Sequence, residues 1–270
     1  MHKTNNSEIR KALEEVPNEA LIAITDVMNS QRAYTSRRSL LQGAMKGAAS
    51  LAVAGAAAST LMGADILHAR AVHAEVVSGG SALKSFFSIL ATGEALFVTF
   101  YRLGIASHNK LGIVGPQLVA LEAILAEEEI HLRFAKAHGG TLATNHFSFP
   151  HGADTFNDRS LFLQTQQLIE EMTNGALLAW IKDLATMGMP HLAQIGGQLM
   201  QVEGGHRVVG RVIQGANPYD NWAFGPVALD HFTQVPAAVT AAGFLSPKPG
   251  NDFIFKPTPP RFPGVVNTEP

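Results

Sequence analysis

Four stretches between about residues 80 and 215 repeat apolar residues at helical spacing, and each carries a glutamate in the middle of its apolar stripe. The first runs from Ser81 to about Ser107, with Phe87, Leu90, Glu94, Val98, Tyr101 and Ile105 in line. The second opens at Pro116, carries Leu121, Leu125, Glu128, Leu132 and Ala135, and stops at Gly139 and Gly140. The third spans about Asp158 to Met187, with Leu163, Gln167, Glu170, Asn174, Leu177, Ile181 and Leu184. The fourth, Pro190 to Gln214, aligns Ile195, Leu199, Glu203, His206, Gly210 and Ile213. Four long amphipathic helices in succession, with little strand signal, predict an all-α chain built as an antiparallel four-helix bundle.

The glutamates constrain what such a bundle can be. Burying one ionised carboxylate without a partner costs several kcal/mol. Four such penalties exceed the roughly 5–15 kcal/mol that keeps a domain folded. No lysine or arginine falls on the stripes, so the four are exposed, protonated, or neutralised by something strongly positive. Their spacing favours the last. The second helix reads Glu128-x-x-His131 and the fourth Glu203-x-x-His206, and residues i and i+3 share a helix face. A lone stripe glutamate precedes each pair at a matched interval, Glu94 by 34 residues and Glu170 by 33. One Glu-x-x-His is common in helical sequence; two, each so preceded, form a specific pattern. Four carboxylates and two imidazoles would offset the charge of two divalent cations. Oxygen and nitrogen donors without thiolate suit iron or manganese, and carboxylates can bridge two ions about 3.5–4 Å apart.

This arrangement resembles the ferritin-like di-iron carboxylate proteins, and within them the group of ferritin-like domains that includes desiccation-related proteins. The likeness is carried by GEALFVTFY (93–101), ILAEEEIHL (124–132), FLQTQQLIEEMTNGA (162–176) and LMQVEGGHRVVGRVI (199–213). NPYDNWAFGPVAL (217–229) also resembles the segment that follows the fourth helix in that group. The resemblance covers about 80 to 245. It implies Glu94, Glu128, His131, Glu170, Glu203 and His206 as metal ligands. It also implies two iron ions as cofactor, with two manganese ions, as in manganese catalases, the alternative. The activity it implies is oxidation of ferrous iron or consumption of dioxygen or hydrogen peroxide. A non-enzymatic stress or desiccation protein with a stabilising metal is a further alternative.

Three departures bear on this. Leu177 stands where the family usually has an aromatic, seven residues after the third helix's ligand, as Tyr101 follows Glu94. Glu171 follows Glu170 directly, and the stripe favours Glu170. Gly204 and Gly205 lie between the fourth helix's ligands, which fits close approach of a neighbouring helix or a substrate, or else loose packing.

Other candidates carry plainer expectations. Glu127 and Glu129 flank Glu128 by about a third of a turn and are expected to be solvated, Glu129 within reach of Arg133. Tyr101 is either a hydrogen-bond donor to a ligand carboxylate or a core aromatic. His138 is expected to cap its helix or lie at the surface, and His146, His151 and His191 sit in loops.

The two ends differ from the middle. Residues 36–42, SRRSLLQ, precede a weakly apolar run of small residues, a layout that resembles a twin-arginine export signal built on Arg37 and Arg38. Cleavage is expected after Ala71 or Ala74, making residues 1–74 an N-terminal extension with its signal and the mature protein periplasmic or extracellular. His68 and His73 fall within that segment. A ferritin-like domain follows over 80–245, and then a Pro-rich arm over 246–270. The arm is expected to be extended and packed through Phe253, Phe255 and Phe262, or else disordered. The net charge of −2 gives no footprint for nucleic acid, and the absence of cysteine excludes thiol chemistry and disulfides. Contact with a membrane is expected only in transit, and a homo-oligomer is left open.

Overall fold

The computed structural model describes residues 51–260, 262 and 264–270, with side chains at Glu75 and from Gly79 onward. The SRRSLLQ stretch and the side chains of His68 and His73 lie outside the described residues. The chain divides into two compact units, Met1–Ile66 and Leu67–Pro270, and every element after the first helix belongs to the second unit.

The described chain is mostly helical. Helix α1 spans Leu51–Ala106 and is interrupted at Gly80, whose φ of 54° and ψ of −132° no helix accommodates. A single turn, α2 (His108–Leu111), leads through Gly112 to α3 (Pro116–Ala137). Helix α4 covers Arg159–Thr186, α5 covers Pro190–Gln214, and the short α6 covers Val235–Ala241. The boundaries have local causes. Proline opens α3 and α5, where its missing N–H costs no hydrogen bond. Asp158 accepts the Leu161 N–H at 3.0 Å and starts α4. Gly215, with φ of 76°, ends α5. No side chain at the α5 N-cap satisfies its free N–H groups. Glu75 does so from α1, accepting from His191 N at 3.1 Å and Leu192 N at 2.8 Å.

The Gly79–Ala106 stretch is apolar and long enough to cross a membrane, but 72% of its most apolar window is buried inside the structure. It serves as a core helix. Its Phe87 meets Trp180 of α4, its Phe100 meets Phe162 of α4 together with Phe149 and Phe156 of the segment before α4, and the Phe100 and Phe162 rings stack at 4.7 Å. Most stripe positions are buried as the helical period requires, while Ile105, Leu125, Gln167 and Ile181 are half-buried. Gln166, not Gln167, is the fully buried glutamine of α4.

The 246–270 segment packs in part through a strand that its sequence does not announce. Phe253–Ile254 (β2) pairs antiparallel with His146–Phe147 (β1), in the loop between α3 and α4. Phe253 packs on Phe149 and Phe156, and Phe255 is buried under Lys136. Asn251 fixes the register from its side chain, donating to Phe149 O and accepting from Phe149 N, both at 2.9 Å.

Close helix approach occurs at a different glycine from the pair between the fourth helix's candidate ligands. A Cβ on Gly204 would make only an ordinary 3.7 Å contact with Asn174, and one on Gly205 would meet nothing. A Cβ on Gly210 would strike the Gln166 amide. Gly210→Ala is therefore expected to destabilise the protein by about 1–3 kcal/mol through overpacking. Gly204→Ala should instead gain roughly 1 kcal/mol of helix propensity. The two midpoints in urea check the contrast, and equal shifts would contradict it.

Candidate metal centre

Each of the four long helices delivers its stripe glutamate to one place. Glu94 comes from α1, Glu128 from α3, Glu170 from α4 and Glu203 from α5; none is more than 2% exposed. His131 and His206, three residues beyond their glutamates, are 7% and 3% exposed. The six form two groups, Glu94–Glu128–His131–Glu203 and Glu128–Glu170–Glu203–His206, and in each the facing atoms lie within 4.8 Å of one another. This buried Glu/His cluster could hold a metal ion.

Glu128 and Glu203 belong to both groups, and each turns one oxygen to either imidazole. His131 Nδ1 lies 3.5 Å from Glu128 Oε2 and 3.1 Å from Glu203 Oε1. His206 Nδ1 lies 3.1 Å from Glu128 Oε1 and 3.0 Å from Glu203 Oε2. Glu94 completes the first group, with Oε2 at 3.9 Å from His131 Nδ1, and Glu170 the second. Of these contacts, the one between His206 Nδ1 and Glu203 Oε2 is a hydrogen bond. Glu94 Oε2, both oxygens of Glu128, His131 Nδ1, Glu170 Oε2 and Glu203 Oε1 are buried without a hydrogen-bond partner. Such atoms in a protein interior are costly unless something else satisfies them. The donor set fits two divalent cations on two counts. Its unsatisfied atoms converge, and two carboxylates are shared between the two positions.

Without a cation, protons must balance the charge. Burial pushes the Glu94 carboxyl well above its usual range, and the charges of Glu128 and Glu203 push it further. Burial does the same to Glu170, against the pull of His206. Burial alone would lower His131, but the carboxylates of Glu128 and Glu203 raise it to about 9. His206 is likewise raised, by Glu128, Glu203 and Glu127. Burial pushes Glu203 up as well, yet His206 and His131 outweigh it and hold it at about 2.

Around the cluster, Tyr101 takes the first of its two expected roles. Its hydroxyl donates to Glu170 Oε1, and burial together with the charge of Glu170 keeps it protonated. Gln166 donates to Tyr101 Oη at 3.2 Å and to His206 O at 2.9 Å, tying the tyrosine to the helix that carries His206. Glu171 lies outside the cluster and accepts from Arg207 Nε at 3.2 Å. Arg207 is 1% exposed; it also donates to Asp220 at 3.4 Å and to Asn221, and its guanidinium stacks 3.6 Å from the centre of the Trp222 ring.

Two expectations are corrected. Glu127 is not simply solvated: its Oε2 accepts from His206 Nε2 at 2.8 Å and so fixes that ring with Nδ1 toward the cluster. Glu129 is 4% exposed and accepts the Thr258 N–H at 2.6 Å, docking the 246–270 segment onto α3. His138 does cap α3, through Nδ1 and Phe134 O at 2.8 Å, and it stacks on Phe87. His146 reaches Asp252 at 2.8 Å, with both side chains well exposed.

Comparison of the chain with protein families, curated proteins and solved structures finds no match, so the chemistry of the cluster rests on its own residues.

The proton balance predicts how the metal-free protein responds to pH. His131 and His206 have folded values above the ordinary 6.5, so their contribution is complete below 6.5 and is lost as pH rises through about 9 for His131. Glu94 and Glu170, also raised, lose their protons in the same direction. The melting temperature of chelator-treated protein should fall steadily between pH 6.5 and 9. A flat profile over that range would contradict the assignment.

Proposed function

We propose that this chain is an exported, ferritin-like four-helix-bundle protein whose buried cluster holds two iron ions and serves an oxidoreductase that consumes dioxygen or hydrogen peroxide or oxidises ferrous iron. One observation carries the reading. Six buried Glu and His side chains, two of them shared, converge with unsatisfied atoms on two adjacent positions. The lengths and order of α1, α3, α4 and α5 support the bundle.

Glu94, Glu128, His131, Glu170, Glu203 and His206 would hold the ions, which when bound would supply redox equivalents and polarise the oxidant. The chain's own residues do the remaining work. Glu127 orients His206, and Tyr101 holds Glu170 by one oxygen while leaving the other toward the cluster. The four helices exclude water, so charge changes at the centre are felt strongly by these groups.

Export would leave the site intact. Both proposed cleavage points, after Ala71 and after Ala74, retain Glu75, the carboxylate that satisfies the start of α5.

Protein purified without chelator is expected to contain close to two iron ions per chain, and Glu128→Ala/His131→Ala to contain none while staying helical. Manganese at the same stoichiometry would move the reading to a catalase-like enzyme. Metal that stabilises the fold without any turnover of peroxide or oxygen would make it a structural staple. No uptake of anaerobically added ferrous iron would end the metal reading. Glu127→Ala should weaken metal binding by about 10–100-fold with little change in stoichiometry. Equilibrium competition against a chelator measures that loss.

A further inference from the structure

A cavity of about 350 Å³ lies between α3 and α5 and reaches the cluster at His131. Its walls include Glu127 and Ile130 from one helix and Val202 from the other, and its roof is the segment Val265–Pro270. Three features set it apart from an ordinary gap in packing. His131 is the most exposed of the six cluster residues, so the cluster comes nearest to solvent where this cavity meets it. Glu127 lines the cavity with a side chain 32% exposed while bonding His206, so one carboxylate touches both the cavity and the cluster. At about 30 Å³ per water, the space takes a cation with its hydration shell, far more than a bare ion needs.

The roof has little burial of its own. Val265 N–H donates to Phe262 O at 3.1 Å, but residues 266–270 are exposed, Val266 by 71%. Asn267 takes a φ of 58°, in the left-handed region. Segments with so little burial open at small free-energy cost.

We propose that this cavity is the entry port through which hydrated divalent cations reach the cluster, and that Val265–Pro270 is a strap that must lift to admit them. The proposal rests on the metal reading above. Arriving ions meet the half-exposed carboxylate of Glu127 first, lose water there, and pass to the His131 imidazole at the cavity floor.

The chain contains no cysteine, so a single thiol can report on the cavity. In the full chain carrying Val202→Cys, Val265→Gly/Val266→Gly should loosen the strap and speed labelling by a small thiol reagent about tenfold. In the full chain without the cysteine, the same double change should speed cobalt(II) uptake, followed by absorbance, by a similar factor at unchanged final content. Unchanged labelling overturns the proposal whatever the metal does. Faster labelling with unchanged cobalt uptake at full stoichiometry also overturns it, because ions then enter elsewhere, and the metal reading survives. Cobalt uptake by neither chain ends the metal reading and the port with it.

Discussion

The structure is organised around one electrostatic problem, four carboxylates gathered where water cannot reach them. Glu128 and Glu203 are fully buried, and no lysine or arginine side chain of the described residues enters the cluster. The solution is distributed over four helices. Each side chain in the cluster faces an opposite charge, a proton or a shared position, and the residues behind it bond to those in front. Tyr101 and Gln166 exist in the core for this reason: both are large polar side chains at 0% exposure, each bonded to a member of the cluster or to its backbone. Replacing a buried ionic cluster of this kind by apolar side chains of equal volume is often neutral or stabilising, so the cluster does not account for the stability of the fold.

The two ends of the cluster are not equivalent, although the sequence pattern that produces them is nearly repeated. His206 is held from behind by Glu127, and its helix by Gln166. His131 has the cavity beside it. The same Glu-x-x-His unit thus gives one anchored imidazole and one beside the cavity.

Much of the fold was legible because its signals are local. Pro116, Asp158, Pro190 and Gly215 mark helix ends through their own backbone chemistry, and the observed bounds follow them. The six cluster residues were legible because their spacing repeats. What escaped depends on partners far along the chain. Three consecutive glutamates look alike in sequence; Glu127 is claimed by His206, 79 residues on, and Glu129 by Thr258, 129 residues on. Gln166 and Gln167 are neighbours of identical type, and only the position of α5 decides which is buried. The β1–β2 pair is two residues long on each side and leaves no periodicity to detect.

Arg207 carries a consequence of a different sort. Its guanidinium bonds Glu171 of α4 and Asp220 and Asn221 of the segment after α5, and stacks on Trp222. The loss of any one of these partners leaves part of a buried cation without its acceptor or its ring. Opening of the 220–222 segment is therefore coupled to the adjoining turns of α4 and α5, and its hydrogen exchange should be slower than its own exposure alone would set. An outlying loop is in this way moored to the helices beneath it by a single buried side chain.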